Sequence, residues 1–186
     1  MDNIKNWPVN KDEFTTNYYE NGYLRITAIT DVDGWILAST PSLQSVYIEA
    51  TITAENCSGT DHYGVMFRVP VLYEADRGYL FGVSCDGQYS LRKWDATIGE
   101  DGEMIYLVRW TPDSNINVGS YQTNRVGIMT IGDRLIMFAN GVQLGEFTDD
   151  TFSQGYFGVF LGSDVTENLT VKIQEVSYWD NPTLPY

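Results

Sequence analysis

The sequence predicts an all-β chain: two antiparallel sheets packed face to face, built from about a dozen strands with almost no helix. Three observations predict it. Apolar and polar residues alternate through most of the chain, as in a strand with one face buried. Gly, Asn or Asp punctuates that alternation about every 8–12 residues, the spacing of short strands and turns. Helical periodicity is nearly absent. The aromatic content is high, with 13 Tyr, 8 Phe and 5 Trp, and aromatic residues favour strands.

The elements follow in chain order. "SVYIEATIT" sets Val46, Ile48, Ala50 and Ile52 against Tyr47, Glu49, Thr51 and Thr53. "YGVMFRV" sets Tyr63, Val65, Phe67 and Val69 against Gly64, Met66 and Arg68. "GYLFGVSCDGQYSLRKWD" (78–95) is a hairpin turning at Asp86-Gly87. The polar run at 111–124 is the one substantial loop. "RVGIMTIGDRLIMF" turns at Gly132-Asp133, and Asn140-Gly141 carries the strongest short hairpin signal, because a type I′ turn needs positive φ at both central residues. "DDTFSQG" (149–155) reads as a single helical turn. "GYFGVFLGS" and "LTVKIQEVSYW" close the chain as strands. No linker or repeat divides residues 1–186, so one domain is expected.

A two-residue loop at Asp86-Gly87 places Cys85 opposite Gln88. The strand from Tyr63 then runs beside the hairpin, and Cys57, six residues before Tyr63, falls at the same end of the same sheet. A Cys57–Cys85 disulfide follows. A zinc centre would need about four ligands, and the chain has two Cys and one His. His62 itself, among Gly, Asp and Thr, reads as an exposed turn residue. A disulfide points to an oxidising compartment, extracellular or at the cell surface.

Formal net charge is −14, and such a surface repels phosphate backbones and anionic headgroups. No stretch approaches the roughly 20 apolar residues of a membrane helix, and the first residues lack the apolar core of a signal peptide. Nucleic acid and membrane insertion are thus not expected; a glycan or other neutral polar ligand is compatible.

"YGVMFR", "GYLFGVSCDGQYSLRKW", "NRVGIMTIGDRLIMFANGVQLGEFTDDTFSQGYFGVF" and "VKIQEVSYW" together resemble the concanavalin A-like (laminin-G-like) jelly-roll domains of bacterial secreted and surface proteins, and among them the 3-keto-disaccharide hydrolase-type domain. The resemblance covers about residues 21–179, leaving tails at 1–12 and 180–186. It implies a jelly roll and an extracytoplasmic module of a kind that includes sugar-binding modules, glycosidases and domains without known activity. Retaining glycosidases of this superfamily carry E-x-D-x-x-E on one strand. Here the only E-x-D is Glu74-Ala75-Asp76, with Tyr79 at the third position, so no catalytic residue is assigned.

Carbohydrate recognition calls for aromatic faces beside polar groups. In the expected hairpin register Phe81 opposes Arg92 and Tyr79 opposes Trp94, so Tyr79, Arg92 and Trp94 share one side. Six of the 11 basic residues, Arg68, Arg77, Arg92, Lys93, Arg109 and Arg125, fall between 68 and 125. The candidate ligand residues are therefore Tyr79, Arg92, Trp94 and Arg68; the alternative is that these arginines pair internally with acids. "TDVDGW" offers Asp31 and Asp33 as calcium candidates, or as an ordinary Asp-Gly turn. The function expected is a non-catalytic extracellular carbohydrate-binding module. The alternatives are a structural or protein-interaction domain of a surface protein, and a glycoside hydrolase with a carboxylate pair assembled from distant strands.

Overall fold

The computed structural model describes residues 6–9, 11–74 and 76–184. It contains thirteen strands: β1 (Thr15–Glu20), β2 (Tyr23–Ala28), β3 (Gly34–Leu37), β4 (Val46–Ala54), β5 (His62–Val69), β6 (Arg77–Ser84), β7 (Gln88–Asp95), β8 (Glu103–Pro112), β9 (Thr123–Ile131), β10 (Arg134–Ala139), β11 (Val142–Thr148), β12 (Tyr156–Gly162) and β13 (Thr170–Asp180). They form two antiparallel sheets, one of seven strands in the order β1-β2-β13-β4-β9-β10-β11 and one of six in the order β3-β12-β5-β6-β7-β8. Among the described residues no helix is long and apolar enough to cross a membrane.

The period-2 pattern of β4 is carried into the structure without error. Its even-numbered residues are buried in the inter-sheet core and its odd-numbered residues, Tyr47 to Thr53, line the outer face. The main core joins Ile26, Ile48, Ile52, Val126, Ile128 and Val171 of the seven-stranded sheet to Tyr63, Val65, Phe67, Tyr79, Phe81 and Leu91 of the other.

The six-stranded sheet behaves differently. Every residue of β5 is buried, and β6 and β12 are buried over almost their whole length. An antiparallel sheet usually leaves one face to water. Here the outer face is covered by bulky side chains: Leu37, Met66, Val69, Leu80 and Phe160 form a second apolar cluster, with Trp35, Trp94, Met104 and Tyr156 packed on it.

The disulfide joins Cys57 to Cys85 with their Cα atoms 5.6 Å apart. It ties the loop before β5 to the β6–β7 turn. The Gly119 amide donates to the Cys85 carbonyl (2.9 Å), and the Ser120 hydroxyl accepts from the Cys57 amide (2.9 Å), so the 113–122 loop is fastened at the same point.

Two local expectations are corrected. The β6–β7 turn holds three residues, not two. Gly87, at φ +88°, donates its amide to the Ser84 carbonyl (3.1 Å), and the pairing runs Val83 with Tyr89 and Leu80 with Arg92. A type I turn followed by a left-handed glycine is the other common hairpin ending. Residues 149–155 form no helical turn but an extended segment with bends, its Phe152 amide and carbonyl taken by Tyr79 and Arg68 and its Gly155 backbone by Leu43.

Candidate functional site

The extra turn residue shifts the β6–β7 register by one, and in a strand that moves every side chain to the opposite face. Tyr79 therefore lies opposite Lys93, and Trp94 lies opposite Gly78. Tyr79 is wholly buried between the sheets, stacked on Phe67 (5.3 Å between centroids) and edge-on to Phe152. It leaves the ligand face to which the expected register assigned it.

Arg68, also proposed for that face, is buried too (2% exposed). It adopts φ +52° and donates to three carbonyls: Phe152 (3.0 Å), Gln44 (3.1 Å) and Gly132 (2.5 Å). Tyr79 completes the arrangement. Its hydroxyl donates to Asp149 and accepts the Phe152 amide at 3.1 Å. Lys93 reaches the other Asp149 oxygen at 2.9 Å. Arg68, Tyr79, Lys93 and Asp149 thus lock the 149–155 segment onto the sandwich. Burial would raise the Asp149 carboxyl, but the bonds from Thr151, Tyr79 and Lys93 bring it down to about 2.

Arg92 and Trp94 do share a face, the outer face of the six-stranded sheet. Cross-strand rows define that face. One row runs Gly158–Met66–Leu80–Arg92–Tyr106, the next Phe160–Gly64–Gly82–Ser90, and the next Gly162–His62–Ser84. The glycines make room for what lies over them. A Cβ on Gly82 would sit 2.6 Å from the Phe160 ring, and one on Gly162 would sit 2.2 Å from the Asp33 carboxylate and 2.3 Å from the His62 ring.

Over this floor stands a buried polar cluster. Asp33, immediately before β3, places Oδ1 2.8 Å from His62 Nε2 and Oδ2 2.7 Å from Arg92 Nη1. His62 Nδ1 is 2.9 Å from the Thr60 carbonyl. The Arg92 guanidinium lies 5.3 Å from the Phe160 ring centroid and 5.7 Å from that of Trp110, within cation–π range of both. Trp110 also rests against His62, 5.2 Å between centroids. Arg92 Nε and Nη2 and Ser90 Oγ have no hydrogen-bond partner within the protein. Burial would raise the Asp33 carboxyl, but the His62 hydrogen bond and the Arg92 charge hold it below its ordinary value. A glycosidase general acid needs the opposite shift.

His62 is thus a buried strand residue, not the exposed turn residue that its polar neighbours suggest. The buried Asp61 beside it fixes the adjoining loop by accepting the amides of Val165 (2.7 Å) and Thr166 (3.0 Å). Asp33 and Asp31, paired as calcium candidates, diverge. Asp33 turns in to Arg92 and His62, and Asp31 is exposed on the wall of a separate cavity with Ser163, Thr166 and Glu167. Among the described residues no group of three or more His, Cys, Asp or Glu side chains is arranged to hold a metal ion.

Three of the five tryptophans, Trp35, Trp94 and Trp110, stand half-buried on this one face, with Tyr106 41% exposed beside them. Trp35 also borders a cavity of about 350 Å³ with Leu37, Leu72 and Tyr73. Of the concentrated basic residues, Arg68 is buried against carbonyls, Arg77 pairs with Asp76, Lys93 with Asp149 and Arg125 with Glu49, Arg109 is exposed on β8, and Arg92 lies in this cluster. The sequence reading missed Trp35, Trp110, Phe160 and His62. The signal that could have found the face is glycine at every fourth position, with one large side chain between on the same face: Gly78 and Gly82 flanking Leu80, and Gly158 and Gly162 flanking Phe160.

This architecture has solved counterparts. The carbohydrate-binding module CBM66 from Bacillus subtilis superposes with a TM-score of 0.70 at 23% identity, covering 95% of this chain and 96% of that one. The fold is a two-sheet β-sandwich of the jelly-roll class. A Bacillus subtilis protein of unknown function with a galectin-like fold matches at TM-score 0.64 and 9% identity, over 90% of this chain and 86% of that one. The Bacteroides ovatus mixed linkage glucan PUL GH16, solved with a product, matches at 0.57 and 11% identity, over 95% and 86%. At these identities the likeness is one of fold. No family model and no curated protein matches the chain.

Proposed function

We propose that this domain is a non-catalytic carbohydrate-binding module, and that it takes a neutral sugar on the outer face of the six-stranded sheet. The observation that carries the proposal is that this one face carries Trp35 and Trp94, packed on its apolar cluster, and Trp110, seated on Arg92 and His62 of the Arg92–Asp33–His62 cluster. Tryptophan faces accept the CH-rich faces of sugars, and the charged cluster beneath holds Trp110 in place. The unpaired polar atoms of Arg92 and Ser90 are sealed beneath this face, so the surface a sugar meets is that of the half-buried indoles and the exposed Tyr106. The likeness to CBM66 supports the same reading. The disulfide supports an extracellular or cell-surface location.

The test is calorimetric titration with a panel of neutral oligosaccharides, on the wild type and on Trp94→Ala and Trp110→Ala. Each substitution should weaken binding at least about tenfold, roughly 1.4 kcal/mol, with the thermal midpoint held within a few degrees. Wild-type affinity in both variants would remove this face from consideration. Cleavage of a bound sugar would make the domain an enzyme.

A further inference from the structure

The seven-stranded sheet carries a second aromatic surface, on the opposite side of the sandwich. Its outer face is again defined by cross-strand rows. Trp179 of β13 pairs with Tyr47 of β4, which pairs with Met129 of β9. In the neighbouring row Ser177 pairs with Glu49, Glu49 with Gly127, and Gly127 with Phe138. Trp179 is 51% exposed and stacks on Tyr47 at 5.3 Å with 28° between planes, while Phe138 meets Tyr47 edge-on at 5.6 Å.

This surface is held rigid. The Tyr47 hydroxyl donates to Glu49 Oε2 at 2.7 Å. Its ring lies over Gly127, where a Cβ would come within 2.6 Å of that hydroxyl. Arg125, half-exposed, stands 3.6 Å from Glu49 Oε1, too far for a good hydrogen bond, so both groups keep unused capacity at the edge of the rings. An exposed indole beside a fixed carboxylate and a half-exposed, loosely paired guanidinium offers what a sugar ring requires: a flat face for its CH groups, with an acceptor and a donor for its hydroxyls.

We infer that the outer face of the seven-stranded sheet, centred on Trp179 and Tyr47 with Glu49 and Arg125, is a second binding site for a neutral glycan chain. The acidic surface of the domain disfavours anionic ligands here as elsewhere, and Glu49 beside Arg125 adds no net charge to attract one. The inference rests on the carbohydrate reading for its ligand class, but on different residues. Because the two sites face away from each other across both sheets, one short oligosaccharide cannot span them. The domain would instead bind two chains, or two stretches of one polysaccharide, and gain avidity from the second contact.

The experiment compares wild type, Trp110→Ala, Trp179→Ala and the double variant. The probes are soluble mixed-linkage β-glucan, xylan, galactan and fructan. Retardation in polysaccharide-containing gels measures binding, and turbidity of protein–polysaccharide mixtures measures cross-linking. The expected result is that a polysaccharide is both retained and cross-linked by the wild type. Each single variant should bind it about tenfold or more weakly without cross-linking, and only the double variant should lose it. Trp179→Phe, which keeps an aromatic face, should restore cross-linking. Wild-type behaviour of Trp179→Ala would overturn the second site and leave the first intact. Binding lost on Trp179→Ala but unchanged on Trp110→Ala would overturn the first site and keep this one. Failure of the wild type to bind any probe would overturn both. Sedimentation of the sugar-free wild type as a dimer that Trp179→Ala dissolves would make this face a contact between copies and overturn the proposal.

Discussion

At Asp149 a single carboxylate receives Tyr79, Lys93 and the Thr151 amide, and its displacement to about 2 gives a signed prediction. The carboxyl titrates near 3.9 in an unfolded chain, so its folded value is depressed. The stability it contributes is fully present above pH 4 and is lost as pH falls from about 4 to about 2. At full ionisation the contribution is about 2 kcal/mol. Asp149→Asn should therefore be destabilised by about 2 kcal/mol at pH 7 in urea unfolding. The gap to wild type should narrow at pH 2.5; a gap that stays constant would detach the effect from ionisation. The same residues show the limit of reading single positions. Tyr79 and Arg68 look like ligand groups by type, yet nothing local reveals that one bonds Asp149, seventy residues on, and the other three distant carbonyls. His62 was misjudged for the same reason, since its polar neighbours say nothing of Asp33.

At the scale of elements, face assignments were legible where alternation alone set them, as in β4, and failed where a turn length set them. One residue more in the β6–β7 loop carried Tyr79 inward and left Arg92 and Trp94 outside. The disulfide survived that slip because it depends only on which ends of the strands meet. Opening it, by Cys57→Ser with Cys85→Ser, releases a loop of 28 residues' separation and should destabilise the domain by about 3.5 kcal/mol on the loop-entropy model, read by urea unfolding with and without reductant. Wild type in reductant should then match the double variant. The glycine rows give a companion test. Gly82→Ala puts a methyl 2.6 Å from Phe160 and 2.8 Å from the Tyr63 carbonyl. The ring must move and the backbone cannot, so a loss of about 1–3 kcal/mol is expected. The same change at Gly132, where nothing lies within 4 Å, meets no contact, and its penalty should come from the left-handed backbone alone.

The whole molecule assembles what no local pattern contains. Asp33 and His62 are 29 positions apart, and Trp35, Trp94 and Trp110 come from β3, β7 and β8. These are the two edges of the six-stranded sheet and the strand beside one of them. Asp33, His62, Arg92 and Trp110 meet because the central strands of that sheet offer glycines to the outer face, letting flanking side chains fold inward over a thin floor. The fold class could be read from the sequence, since it needs only periodicity and turns; the site needs strand order, which periodicity does not encode. The charge of the molecule then separates the proposed ligand class from its rivals. The domain carries −14 overall, while the Arg92 charge at the site is already matched by Asp33. A neutral sugar bound there exchanges no net charge with the protein. Its affinity should then stay within about twofold between 50 and 500 mM salt, although the Debye length contracts severalfold over that range. An anionic sugar would have to approach against the negative field and then rely on Arg92. Salt would weaken the repulsion on approach and the pairing on arrival, so its affinity would move with ionic strength. A titration series in salt on the tightest-binding sugar decides the matter: a flat profile is the expected outcome, and a sloped one would overturn the neutral-ligand reading.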